Sequence, residues 1–136
     1  AGGEEAMGPV NWLAVVLASL LAMMIGVVWF GPLFNVIQPF VKDEPKKHSH
    51  GWIAGLFLFV NAAMLGHMYA RIGSEPRAAK PGLYWMQAGG IALAFVIPAI
   101  WMTWFRLGAD RRTRLVESGY YLVAYLAMGT VFWLLG

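Results

Sequence analysis

Three histidines are the side chains in this sequence best suited to bind a metal or to move a proton. His48 and His50 stand in the segment HSH, but two imidazoles are fewer than the three or four ligands of a protein metal site. His67 lies inside an apolar run, where an ionisable residue usually faces a bundle interior or a polar cavity. There it has three possible roles: ligating the metal of a haem or chlorophyll-type pigment, transferring a proton, or hydrogen-bonding a residue such as Gln87. We predict no metal site built from protein ligands alone.

The other polar side chains within apolar runs are amides and hydroxyls. Asn61 lies near the middle of its run, and Gln87 and Thr103 lie in the next one. An amide in hydrocarbon needs a partner, and a hydrogen bond between membrane helices is worth about 0.6 to 2 kcal/mol. We therefore expect these three residues to make polar contacts within the membrane, between helices for Asn61, whereas Thr103 can also bond back to a carbonyl of its own helix. In the alternative hypothesis they line, with His67, a solute path through a homo-oligomeric transporter or channel.

Acidic residues are absent from the middle of every apolar run, and Glu117 stands only at the start of the last one. An ion-coupled transporter normally uses an intramembrane carboxylate. No Ser-His-Asp grouping or phosphate-binding glycine loop can be assembled at a common depth, and the chain has no cysteine. We predict that the protein is not an enzyme.

The elements that must position these residues are transmembrane helices. The chain has 136 residues, of which 60% are hydrophobic and 12% charged, with a mean hydropathy of +0.61. Four apolar runs approach the roughly 20 residues that a spanning helix needs. They cover about residues 10–30, 51–70, 83–105 and 118–135. We predict an all-α polytopic membrane protein, a single domain of four transmembrane helices in a compact bundle with short loops.

Lysine and arginine set the expected orientation. Seven of them flank the first and third loops and three lie on the opposite side, so the positive-inside rule places both termini in the periplasm of a bacterial inner membrane. Residues 1–9 contain no Lys or Arg, which favours a retained first span over a cleaved signal. The basic residues expected to contact anionic lipid headgroups are Lys46, Lys47, Arg111, Arg112 and Arg114. Because these charges serve topology, we expect no nucleic-acid partner.

Breaks and small residues indicate how the helices begin, end and pack. Gly31-Pro32 predicts a helix stop, with an interfacial segment and basic loop over 31–50, and Pro98 predicts a kink in the third span. Ala18, Ala22 and Gly26 offer a close-packing face. All seven Trp residues lie where interfacial anchors are expected.

The stretch NWLAVVLASLLAMMIGVVWFGPLF, residues 11–34, resembles the opening signature of the DUF1761 family of small bacterial membrane proteins. The matching residues include Asn11, Trp12, Gly26, Trp29, Gly31 and Pro32. A similar match in the last span includes Gly119, Tyr120, Gly129 and Trp133. The resemblance implies a four-helix membrane fold and no established activity.

The expected function is that of a non-enzymatic accessory or stabilising subunit, packed laterally against a larger photosynthetic or respiratory membrane complex. Its partners would be membrane lipids and other integral membrane proteins, or a second copy of the chain. Bound lipid, quinone, chlorophyll-type pigment or haem are the cofactors considered. The second alternative is a pigment- or haem-binding subunit that uses His67.

Overall fold

The computed structural model describes residues 9–34 and 51–135, which are helical apart from short connections. The helices are α1 (Trp12–Val28), α2 (Gly51–Ile72), α3 (Ser74–Ala79), α4 (Gly82–Ile91), α5 (Ile97–Leu107) and α6 (Arg111–Leu135). A π-helical turn, Trp29–Leu33, extends α1, and another, Ala92–Val96, joins α4 to α5. Four segments are long and apolar enough to cross a membrane: Trp12–Leu33, Trp52–Ile72, Gly82–Leu107 and Arg111–Leu135. The predicted all-α fold with four spans is confirmed.

The spans run alternately between two ends of the bundle, which we call the Asn11 side and the Arg111 side. Helix α1 packs against α2 and α6, and α6 packs against both α1 and the third span. Ala14, Ala18 and Ala22 of α1 are fully buried, so small residues on one face let the neighbouring helices approach closely. Helices α1 and α6 therefore form the centre of the bundle, with α2 and the third span outside them.

Two reciprocal contacts between an aromatic ring and a glycine fix α1 against α6. A Cβ atom built on Gly119 would lie 2.9 Å from Cζ2 of Trp29, and one built on Gly26 would lie 3.3 Å from Tyr120. On each helix, therefore, a glycine packs against an aromatic ring of the other helix. Tyr120 also donates a 2.9 Å hydrogen bond to the Ala22 carbonyl.

Three tryptophan indoles donate hydrogen bonds to α6. The acceptors are the Val116 carbonyl for Trp29 (2.9 Å), Thr130 Oγ1 for Trp85 (2.8 Å) and Ser118 Oγ for Trp101 (2.6 Å). The sequence predicts every Trp as an interfacial anchor. For these three residues the structure adds a second role, because their N–H groups join the first and third spans to the fourth.

Helix α1 does not stop at Gly31-Pro32, where the sequence predicts its end. Pro32 has no N–H to donate, and the backbone passes it in a wider turn in which the Phe34 N–H bonds the Trp29 carbonyl at 3.1 Å. The first span therefore reaches Leu33. The rest of the predicted interfacial segment and basic loop, from residue 35 to 50, lies outside the described residues.

Helix α6 begins seven residues before the predicted start of the fourth span, at Arg111 instead of residue 118. Hydropathy places the boundary too late because the first turn of the helix carries three arginines. Asp110 caps this turn by accepting the Thr113 backbone N–H at 3.0 Å. Hydrogen bonds from the hydroxyl and the backbone N–H of Thr113 hold the pKa of the exposed Asp110 carboxyl below its usual value.

The third span changes its helical geometry just before Pro98, where the sequence predicts a kink. Residues Ala92–Val96 form the π-helical turn, in which the Ile97 N–H bonds the Ala92 carbonyl. Pro98 cannot donate to the carbonyl four residues earlier and its ring crowds that carbonyl. A wider turn at these residues accommodates the ring within a continuous span.

Replacing Gly119 with alanine should destabilise the bundle, because the added methyl group overlaps the indole of Trp29. We expect a loss of about 1 to 3 kcal/mol in the free energy of unfolding, typical of overpacking. Thermal unfolding in mild detergent measures the effect. Gly90→Ala is the matched control, since a Cβ there meets no atom within 4 Å. Equal stability of the two variants would contradict the proposed α1–α6 contact.

Candidate functional site: a lateral groove around Asn61

A series of cavities runs along the bundle: the first lies between the third span and α6, the second between α1, α2 and α6, and the last two between α2 and the third span. From the Arg111 side to the Asn11 side, their volumes are about 280, 340, 300 and 410 Å³. Neighbouring cavities share Tyr121, then Asn61, then Met68. We call this series the lateral groove. Its last two cavities exist because α2 and the third span both pack on the central helices but hardly on each other.

The floor of the groove carries a row of polar side chains from α6. Glu117, Tyr121 and Tyr125 are spaced by four residues, which places them on one helix face, and each lines at least one cavity. Within the described ranges, 9–34 and 51–135, no hydrogen bond engages these three side chains. The opposite faces of α6 are occupied by the tryptophan and glycine contacts to the first and third spans.

Asn61 faces this row from α2 and borders two of the cavities. Its side chain is half-buried, and no residue in the described part of the chain hydrogen-bonds its amide. Residues 9–34 and 51–135 therefore do not supply the predicted interhelical contact of Asn61. Leaving such a group unpaired in an apolar environment costs about 1 to 3 kcal/mol on the scale of protein mutations.

His67 and Gln87 line the cavity at the Asn11 end of the groove, together with Arg71. They do not bond each other, although the sequence suggests that pairing. Nδ1 of His67 lies 2.7 Å from the Ala63 carbonyl oxygen, and Gln87 donates to the sulfur of Met68 at 3.2 Å. A hydrogen bond to the preceding turn satisfies one nitrogen of the imidazole without a second helix.

Thr103 lines the cavity at the Arg111 end, beside Glu117. The four residues suggested for a solute path, Asn61, His67, Gln87 and Thr103, thus border one groove at successive depths. Tyr121 and Tyr125, which the sequence does not suggest as site residues, complete its lining. Their four-residue spacing from Glu117 is the signal in the sequence that could have identified them.

The arginines predicted to contact lipid headgroups differ in how far their side chains are available to lipid. Arg111 and Arg112 are exposed, and Arg112 donates to the Phe34 carbonyl at 2.7 Å. Arg114 is drawn back onto the protein: it donates to the Ala109 carbonyl at 2.6 Å, and its guanidinium lies 4.3 Å from the centre of the Phe105 ring. Lys46 and Lys47, like His48 and His50, lie outside the described residues.

Protein ligands for a metal ion do not converge anywhere in the described part of the chain, where no group of three His, Cys, Asp or Glu residues occurs. The acidic residues of these ranges, Glu75, Asp110 and Glu117, are distributed over separate elements.

Four apolar spans, two of them at the centre of the bundle, define a multi-pass helical membrane protein. The model of the family described as "Protein of unknown function (DUF1761)" matches residues 13–133, and the chain belongs to this family. No curated protein and no solved structure matches it.

The signature residues of the family resemblance have packing roles in this structure. Asn11 caps α1 by accepting the Ala14 N–H at 3.1 Å and donates to the Leu135 carbonyl at 3.0 Å, which joins the ends of α1 and α6. Trp12 contacts Phe59 and His67 of α2. With Gly26 and Trp29 packed on α6, the signature specifies mainly the central helix pair, and Gly26 also lines the 340 Å³ cavity of the groove.

Replacing Asn61 with leucine should stabilise the isolated protein, because the substitution removes an unpaired amide from an apolar site. The expected gain is about 1 to 3 kcal/mol in the free energy of unfolding. Thermal unfolding of the purified chain in detergent measures it, with Val60→Leu, an exposed neighbour, as the control. A clear loss of stability in Asn61→Leu alone would mean that the amide has a partner within the chain.

Proposed function

We propose that this protein is a non-enzymatic accessory subunit that packs laterally, through its groove, against an integral membrane protein of a larger complex. The observation that carries the proposal is the amide of Asn61 at mid-span, which no described residue of the chain hydrogen-bonds. In hydrocarbon neither water nor lipid tails can satisfy an amide. A second polypeptide that brings a hydrogen-bonding side chain to this depth can do so.

The chemistry of the groove favours a transmembrane helix as the partner. Ala54 and Ala99 are small residues on its two walls, a feature typical of surfaces where membrane helices approach closely. Asn61 offers both a donor and an acceptor, and the hydroxyls of Tyr121 and Tyr125 offer both as well. A partner helix with an Asn, Gln, Ser or Thr at the matching depth would pair with them.

Native purification tests the proposal. The chain is extracted in mild detergent from its own membranes, and the proteins that accompany it are identified by mass spectrometry. We expect a stoichiometric membrane-protein partner with the wild type and with Val60→Leu, and at least tenfold less of it with Asn61→Leu. Recovery of the wild type as a homo-oligomer free of other proteins would overturn the accessory role.

A small homo-oligomeric transporter or channel is the second candidate. It is supported by the placement of Thr103, Asn61, Gln87 and His67 along one groove, which two copies could enclose. Liposomes loaded with ions or small neutral solutes provide the test. Flux that is present with the wild type and lost with Asn61→Leu would support transport, whereas absence of flux for every solute would reject it.

The proposed orientation places the Arg111 side in the cytoplasm of a bacterial inner membrane and both termini in the periplasm. The arginines at this end, Arg106, Arg111, Arg112 and Arg114, outnumber the basic residues described at the other end. A phosphatase reporter fused after Gly136 should be active, since that enzyme works only after export. Activity of a cytoplasmic reporter at the same position would reverse the assignment.

Anionic lipids are proposed as additional partners at the Arg111 side. Arg111 and Arg112 are exposed there, and each charge near an anionic surface contributes about 1 kcal/mol. Native mass spectrometry should find cardiolipin retained by the wild type and lost after both are changed to glutamine. Equal retention by the double variant would exclude these two residues.

A further inference from the structure

The tautomer of His67 is set by its hydrogen bond to the backbone. The Ala63 carbonyl oxygen, 2.7 Å from Nδ1, can only accept, so in the neutral imidazole Nδ1 carries the proton. The lone pair is then on Nε2. Within residues 9–34 and 51–135 no hydrogen-bond donor engages Nε2. Metal-binding histidines commonly use this arrangement, in which one nitrogen donates to a carbonyl and the other is free to bind the metal.

The surroundings of His67 restrict the metal that it can bind. A bare Zn²⁺ or Cu²⁺ ion needs further protein ligands, and the described residues contain no cluster of His, Cys, Asp or Glu. A metal held in a tetrapyrrole brings four equatorial nitrogens and needs only an axial ligand from the protein, for which histidine is the common choice. His67 therefore fits a metallated macrocycle and does not fit a free ion.

The position of Arg71 indicates which polar substituents a macrocycle bound to His67 would carry. It follows His67 by four residues, so both lie on the same face of α2 about 6 Å apart along the axis, with Arg71 nearer the Asn11 side. Both line the 410 Å³ cavity, with Gln87 on the opposite wall. The guanidinium of Arg71 has no partner in the described part of the chain. It is placed to pair with a carboxylate at the edge of a ring bound to His67.

The remaining neighbours suit a flat apolar ring. Met68 and Ile72 line the same cavity, and the Trp12 ring stands edge-on to the imidazole at a centroid distance of 5.8 Å. The side chain of His67 is exposed on the outside of the bundle, so a ring can approach it without separating the helices.

We propose that His67 is the axial ligand of an iron tetrapyrrole that carries free carboxylates, with Arg71 pairing one of them. The carboxylates distinguish this ligand class from pigments whose acid groups are all esterified. The site lies at the Asn11 end of the groove, away from Asn61, and does not depend on the accessory role.

Titration with ferric haem in lipid nanodiscs tests the proposal. We expect saturable binding with one haem per chain and a shift of the main absorption band typical of axial histidine. Affinity should fall at least tenfold in His67→Leu, and His67→Gly should recover the band when imidazole is added. Arg71→Gln should weaken binding several-fold while preserving the histidine-ligated spectrum, whereas Lys80→Gln, on the same side and outside the cavity, should leave it unchanged.

Haem that partitions into the nanodisc without a specific site would bind wild type and His67→Leu alike, and this result would overturn the proposal. Retained helicity and unfolding temperature in each variant show that lost binding reflects the site and not the fold. Because Asn61→Leu leaves the histidine site intact, it should bind haem normally even where it loses the partner protein. The two proposals can therefore fail separately.

Discussion

Hydrogen bonds donated by aromatic side chains are the constraint on which this bundle depends. In hydrocarbon, a hydrophobic driving force between helices is missing, so the partner of each polar group decides which helices meet. Helix α6 receives indole N–H groups from Trp29, Trp85 and Trp101, and Tyr120 returns a hydroxyl to α1. These bonds hold the fourth span at the centre of the bundle, although it carries more charged residues than any of the other three spans.

The same arrangement explains why the groove exists. The faces of α6 that meet the first and third spans are committed to glycine and tryptophan contacts, and the face that carries Glu117, Tyr121 and Tyr125 is not. Tyr69 of α2 donates to the Tyr84 carbonyl of α4 at 2.6 Å near the Asn11 side. Further along, α2 and the third span diverge, and Tyr125 of α6 lies at the gap between them. The gap is thus a consequence of how the rest of the bundle satisfies its polar groups.

Hydropathy and small-residue spacing predicted the fold well, since the four spans and the buried alanine face of α1 follow from length and pattern alone. The sequence places the start of the fourth span after Arg111, because hydropathy does not show that a helix can continue past the end of its apolar segment. It also predicts a helix stop at Pro32, where a π-helical turn in fact tolerates the missing N–H donor. At the site, the sequence identified Asn61, His67, Gln87 and Thr103 as polar and intramembrane. Their common groove could not be predicted, because it depends on which helices fail to touch.

The π-helical turn in the third span fixes the rotational setting of its two halves. Each residue of an α-helix turns the next side chain by about 100°. A π-helical turn in effect adds one residue to the helix, and α5 is rotated by that amount relative to an uninterrupted continuation of α4. This setting brings Trp101 to Ser118 while Trp85 reaches Thr130. In genetic terms, loss of a single codon between Ala92 and Val96 would restore a regular helix and turn Trp101 away from its acceptor, so the length of this segment is as constrained as its composition.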